Sequence, residues 1–202
     1  MTGMTMAVAS QRGFDSPVDD SQQVFRGVLE ALSRPGSLQQ LVVPVEFPGE
    51  VSGATAAVLL ALADYSTPIW FDDRFVARGL PEYLKFHTGA PVAEQRSAAV
   101  FGVVDPTADG NALDGFALGT AEYPDRSATL ILEVPGFGTG QPAVLEGPGI
   151  DGTTRFAAPV LSPVIWTALQ ANSCLFPLGL DIIFTAGDQI AAIPRSTKIE
   201  VL

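Results

Sequence analysis

The end of the chain limits the fold most. Between Phe176 and Val201 three strand-like runs follow one another with no room for a crossover helix. Leu180 to Thr185 is almost wholly apolar, Gly187-Asp188 supplies turn residues, and Gln189 to Ile193 brings the chain back before Pro194 interrupts it. Thr197 to Val201 then alternates polar and apolar residues. Parallel neighbours need a connection of about a dozen residues or more, which these runs lack. Upstream, strand and helix patterns are intermixed, so the sequence predicts a three-layer α/β/α fold with a mixed sheet.

The upstream pattern is specific. Asp20, with Gln23 three residues on, caps a first helix whose Val24, Phe25, Val28, Leu29 and Leu32 share one face, and Arg34-Pro35-Gly36 stops it. Leu38 to Val45 reads as a strand. Ala54 to Ala63 is apolar nearly all round, the mark of a helix buried on most sides. Thr67 to Phe71 is a short strand with Pro68 near its start, and Pro81 opens a helix through Tyr83 and Phe86 to Thr88 that Gly89 closes. Ala98 to Val104 and Ala128 to Val134 are strand-like, with Asp105 to Gly115 a loop or short helix between them. Pro148 and Gly149 suit a type II turn, and Ser162-Pro163 starts a last helix carrying Val164, Ile165 and Leu169 to about Asn172. Residues 1–13 read as a loose tail and 14–202 as a single domain.

Of 202 residues, 47% are hydrophobic and only 16% charged, which leaves little polar cover and favours burial in a larger assembly. A net charge of -11 opposes nonspecific nucleic-acid binding, which needs clustered Lys and Arg. One cysteine, Cys174, excludes an intramolecular disulfide, and with one histidine, His87, it leaves no Cys/His set for structural zinc. A reducing cytoplasm fits. The N-terminus lacks the charged and apolar regions of a signal peptide, and no helical apolar run approaches the roughly twenty residues of a membrane span. A soluble protein without a membrane partner is expected.

His87 draws notice as the single imidazole, the commonest general acid or base near neutrality. At a helix end it can equally complement the dipole, and no Gly-x-Ser-x-Gly elbow supplies it with a nucleophile. Asp181 and Arg195 can face each other across the closing strands. They then form a salt bridge, or Arg195 with Ser196 and Thr197 presents donors to an anion. Gly147 to Ile150 matches neither the P-loop nor the dinucleotide fingerprint and reads as a structural turn. Cys174 has no basic neighbour and is expected to be a buried, inert thiol. Lys85 and Lys198, the two lysines, read as solvated residues outside any Schiff-base context. The candidates for a ligand or interface are thus His87, Asp181, Arg195 and Thr197, with no catalytic residue and no metal ligand assigned.

Several segments in order carry a resemblance: Ala31-Leu-Ser-Arg-Pro-Gly36, Leu60-Ala-Leu-Ala-Asp64 with Thr67-Pro-Ile-Trp70, Phe86-His-Thr-Gly-Ala-Pro91, Gly119-Thr120, Ala128-Thr-Leu-Ile131, Gly147-Pro-Gly-Ile150, and above all Phe176-Pro-Leu-Gly-Leu-Asp181 with Ile193-Pro-Arg-Ser-Thr197. Through them the chain resembles the PhnH family, the H subunit of the carbon-phosphorus lyase core complex of bacterial phosphonate metabolism. The resemblance implies a fold like that of pyridoxal-phosphate-dependent transferases but without pyridoxal phosphate. It also implies a homodimer that joins the G, I and J subunits in a cytoplasmic complex. That complex helps convert alkylphosphonate and ATP to alpha-D-ribose 1-phosphonate 5-triphosphate with adenine release, and later breaks the carbon-phosphorus bond. The iron-sulfur chemistry belongs to the J subunit, and one cysteine could not hold a four-cysteine cluster here. The role so implied is a noncatalytic subunit; the alternative is a stand-alone phosphate-ester or nucleotide transferase using His87 and Arg195.

Overall fold

A computed structural model describes residues 12–42, 50–107 and 112–202. The expected tail up to residue 11, the latter part of the Leu38 to Val45 strand and part of the Asp105 to Gly115 segment lie outside the described residues. In chain order the elements are α1 (Pro17–Ser33), β1 (Gln39–Gln40), α2 (Gly53–Leu62), β2 (Ile69–Phe71), α3 (Asp73–Ala77), α4 (Leu80–Thr88), β3 (Phe101–Val104), β4 (Thr129–Glu133), β5 (Pro142–Glu146), β6 (Thr154–Ala157), α5 (Pro163–Ser173), β7 (Asp181–Ala186), β8 (Gln189–Ile193) and β9 (Lys198–Val201).

Six strands form one sheet in the order β1-β8-β7-β4-β3-β2. β2, β3, β4 and β7 run parallel, whereas β8 pairs antiparallel with β7, and β1 with β8, so the sheet is mixed as expected. Side chains alternate across a strand, and here both sides are apolar. Ile69, Phe101, Val103, Ile131 and Ile183 enter a core shared with α1, α2 and α4. Val104, Leu130, Leu132, Ile182 and Phe184 enter a second core with Trp166 and Leu169 of α5.

That second layer departs from the plain α/β/α expectation. Alongside α5 it contains a three-stranded antiparallel sheet in the order β6-β5-β9. β9 leaves the β7–β8 hairpin because Pro194 ends β8 and the chain turns, the Thr197 N–H donating to the Pro194 carbonyl at 2.9 Å. Its partner β5 and the neighbouring β6 carry no strand signal strong enough to be read among prolines and glycines.

The helices follow local chemistry. α1 starts at Pro17 rather than Asp20, a proline at the first turn costing no hydrogen bond. Asp20 still serves the start: its Oδ2 accepts from the Ser16 N–H at 2.8 Å. The buried edge of α1 is Val24, Val28 and Ala31, while Phe25 and Leu29, expected on that face, are 45% and 48% exposed. α2 matches its expected span, and Ser52 caps it by accepting from the Thr55 N–H. Gly89 closes α4 with φ 74°, and Ser162 caps α5 through the Ile165 N–H. The turn from Gly147 to Ile150 forms, the Ile150 N–H donating to the Gly147 carbonyl at 3.1 Å. Its Gly149 has φ 83°, and a Cβ there would lie 1.9 Å from the Ser33 carbonyl oxygen, so the turn is seated against the end of α1.

Candidate functional site

After Thr129, β4 is apolar until its last residue, Glu133, which is only 5% exposed. A buried carboxylate requires partners, and three elements provide them. The N-terminus of α2 places the Ser52 N–H 2.7 Å and the Thr55 hydroxyl 2.9 Å from Oε2. Thr185 of β7, opposite Glu133 in the sheet, donates its hydroxyl to Thr55 at 2.7 Å. α3, which the sequence did not reveal, delivers Arg74, whose Nη2 lies 2.7 Å from Glu133 Oε1 and whose Nη1 lies 3.4 Å from Asp105 Oδ2. The positive end of α2 and the guanidinium thus meet one buried carboxylate.

Two aspartates beside this cluster are pushed in opposite directions. Burial works against ionisation of Asp105, but hydrogen bonds from the Thr107 hydroxyl and backbone and the charge of Arg74 outweigh it and hold its carboxyl below the usual range. Asp72, which accepts the Asp105 N–H at 2.8 Å, is pushed up, mainly by burial. Arg74 stands between the carboxyl groups of Glu133 and Asp105.

Above the pair lies a cavity of about 350 Å³ whose wall includes Glu50, Ser52, Thr107, Val160 and Gly187. It sits at the carboxyl ends of β4 and β7, the place where open α/β sheets bind ligands. Val160, a β-branched residue, has φ 67°, a strained conformation of the kind that collects at ligand sites. With its charges already paired, the cluster offers neither a nucleophile nor a free base. It offers a rigid polar floor. Among the described residues no group of three or more His, Cys, Asp or Glu is placed to hold a metal ion.

The residues singled out in the sequence lie elsewhere. Asp181 opens β7, opposite Thr129, at the other end of the strands from Glu133. Arg195 meets it as a bridge: its backbone N–H and Nε donate to Oδ1 at 3.0 and 3.1 Å, Nη2 pairs with Oδ2, and Nη1 donates to the Pro124 carbonyl at 2.7 Å. Those contacts engage the guanidinium within the protein. Thr197 is fully buried, and its hydroxyl has no hydrogen-bond partner among the described residues, so it faces no solvent-borne anion.

His87 sits in the last turn of α4, its ring 4.5 Å from that of Tyr83 and 5.0 Å from that of Phe86. A Cβ on Gly13 would stand 3.0 Å from His87 Nδ1, so the chain start covers the ring. Tyr83 donates to the Arg12 carbonyl at 3.1 Å, and burial pushes its hydroxyl up to about 12. None of these neighbours is shared with Arg195. Lys85 and Lys198 are exposed, as expected. Cys174 is not buried: it caps α5 beyond Asn172, the last buried position of the helix, where the chain runs out through exposed Leu175 and Phe176.

Glu133 itself had a signal, a carboxylate ending an otherwise apolar strand. Its partners had none, because Ser52, Arg74 and Thr185 come from separate elements. Among the described residues no helix is long and apolar enough to cross a membrane.

Comparison with known proteins places this architecture. The family model for bacterial phosphonate metabolism protein (PhnH) matches residues 12–200. The alpha-D-ribose 1-methylphosphonate 5-triphosphate synthase subunit PhnH of Rhizobium meliloti (strain 1021) is 37% identical over 187 residues, covering 93% of this chain and 94% of that protein. A protein of Stutzerimonas stutzeri, provisionally named C-P lyase subunit protein HtxG, is 31% identical over 202 residues, covering 99% of this chain and 96% of its own. Matched from end to end by the family model and by relatives of its own length, the chain belongs to the PhnH family of bacterial phosphonate metabolism proteins.

Proposed function

We propose that the chain works as the H subunit of a carbon-phosphorus lyase complex. The observation that carries this is the end-to-end correspondence with a relative named as a synthase subunit, 37% identical over 93% of the chain. In the fuller reading, 14–202 form one domain, and the chain pairs with itself and joins G, I and J subunits in the cytoplasm. The assembly turns alkylphosphonate and ATP into alpha-D-ribose 1-phosphonate 5-triphosphate with release of adenine, and this subunit contributes structure rather than a catalytic group. In support of a noncatalytic role, Arg195 is bound to Asp181 and Pro124, and the His87 ring packs on Tyr83 of its own helix, away from Arg195. In support of assembly, the charged fraction is 16%, and Phe25, Leu29, Tyr65, Phe86 and Phe176 are exposed.

A fold of the pyridoxal-phosphate-dependent transferase kind that has given up the cofactor belongs to the same proposal. Its support is the exposure of Lys85 and Lys198, since a Schiff-base lysine works desolvated in a pocket. The test is co-purification from phosphonate-grown cells with a tag on this chain. G, I and J subunits are expected in the eluate, and their absence overturns the reading. In the same cells His87→Ala is expected to support growth on phosphonate; loss of growth with the complex intact would favour the transferase alternative instead.

A further inference from the structure

α1 has two apolar faces, and the core uses one of them. Val24, Val28 and Ala31 are buried, whereas Val18, Phe25 and Leu29 are 83%, 45% and 48% exposed. With exposed Gln22 they recur at intervals of four, three and four residues, the spacing of the seam along which two helices pack. An exposed apolar stripe with a polar rim marks a surface that meets another chain.

Charge decides which chain. Asp19 and Arg26 lie seven residues apart on the outer border of the stripe, and both are exposed. The neighbouring charges are already engaged: Arg12 pairs with Asp15, Arg34 pairs with Glu30, and Asp20 accepts the Ser16 N–H. Asp19 and Arg26 make no ion pair among the described residues. Two copies of α1 laid antiparallel about a twofold axis near Gln23 bring each Asp19 beside the Arg26 of the other copy. The same placement sets Val18 against Leu29 and Gln22 against Phe25 across the seam. It also opposes the two helix dipoles, whereas a parallel pair would crowd Asp19 and Asp20 of both copies at one end. We propose that the exposed face of α1 docks antiparallel on the same face of a second copy of this chain, with reciprocal Asp19–Arg26 pairs closing one side of an apolar seam.

This surface rests on the reading that the chain pairs with itself. The stripe is about 16 Å long and covers less than the roughly 800 Å² that each partner gives to a standard interface. The dimer is therefore reversible, half dissociated at a concentration on the order of 10 μM. Sedimentation velocity of the purified full chain between about 1 and 200 μM reads it. Asp19→Arg and Arg26→Asp are each expected to melt near the wild-type temperature and to associate about tenfold more weakly, since each makes like charges meet twice. The double variant Asp19→Arg/Arg26→Asp restores the pairs with their signs exchanged and should associate within about threefold of wild type. An equimolar mixture of the two single variants should likewise associate about as tightly as wild type, and about tenfold more tightly than either alone. Single variants that associate like wild type, or a double variant no better than the singles, would place self-pairing on another face and overturn this inference alone. A wild-type chain that stays monomeric throughout would overturn it together with the self-pairing reading, and complex membership would still be decided by co-purification.

Discussion

Removing the Glu133 side chain strands three donors at once: the Ser52 N–H, the Thr55 hydroxyl and the Arg74 guanidinium. Breaking a buried pair from one side costs about 3–5 kcal/mol, because the remaining charge is left without compensation. Glu133→Ala is expected to lose that much in urea denaturation, whereas in an Arg74→Met background the same change should cost clearly less. Equal losses in both backgrounds would mean that the two side chains do not act together. Asp105 adds a pH signature. Its folded carboxyl lies below its ordinary value of 3.8, so its contribution is present above 3.8 and lost as pH falls through the folded value. Asp72 is raised, so its effect runs the other way, stability falling as pH rises from 3.8 through its folded value. Asp105→Asn should therefore differ from wild type by a constant amount near neutrality and converge with it in acid, as read from denaturation midpoints across that range. At this scale sequence reading succeeds where partners are close along the chain. Asp181 and Arg195 flank one hairpin, so the bridge between them was legible. Arg74 reaches Glu133 from a helix of five residues, too short to leave a periodic signal, and nothing local ties the two together.

Elements were legible where a cap and a period agreed. α2 and α5 each have a serine cap and an apolar interior, and both appeared within a residue or so of their expected bounds. β5 and β6 were missed because half of what makes them strands is supplied by each other and by β9. α1 shows another limit. Its apolar residues outnumber those the core accepts, and periodicity cannot say that Phe25 and Leu29 turn outward. The join between α1 and the Gly147–Ile150 turn yields a sharp expectation. Gly149→Ala combines a left-handed φ with a Cβ 1.9 Å from a backbone oxygen, and backbone cannot yield as a side-chain tip does. The cost should exceed the roughly 1–3 kcal/mol of left-handed strain alone. Gly152→Ala, also at positive φ but with nothing within 4 Å, should cost only that strain. Comparable denaturation midpoints for the two variants would show that the turn is not seated on α1.

At the scale of the molecule, two apolar cores share one sheet. Adjacent residues of a single strand serve opposite sides: Leu130 belongs to the core with α5, and Ile131 to the core with α1 and α2. Neither side can lose its order without exposing the backs of β4 and β7, so the two cores should melt together. Leu59→Ala, on the α2 side, and Leu169→Ala, on the α5 side, remove fully buried side chains and should each cost about 2–5 kcal/mol. Because the sheet separates them, the double variant should lose the sum to within about 0.5 kcal/mol, the additivity of sites without shared partners. Far-ultraviolet circular dichroism reports the whole backbone, whereas fluorescence of Trp166, buried beside Phe156 on the α5 side, reports that core far more than the other. The two signals are expected to coincide in every variant. If Leu59→Ala moves the circular dichroism midpoint while the Trp166 transition stays in place, the two sides unfold separately and the sheet does not couple them.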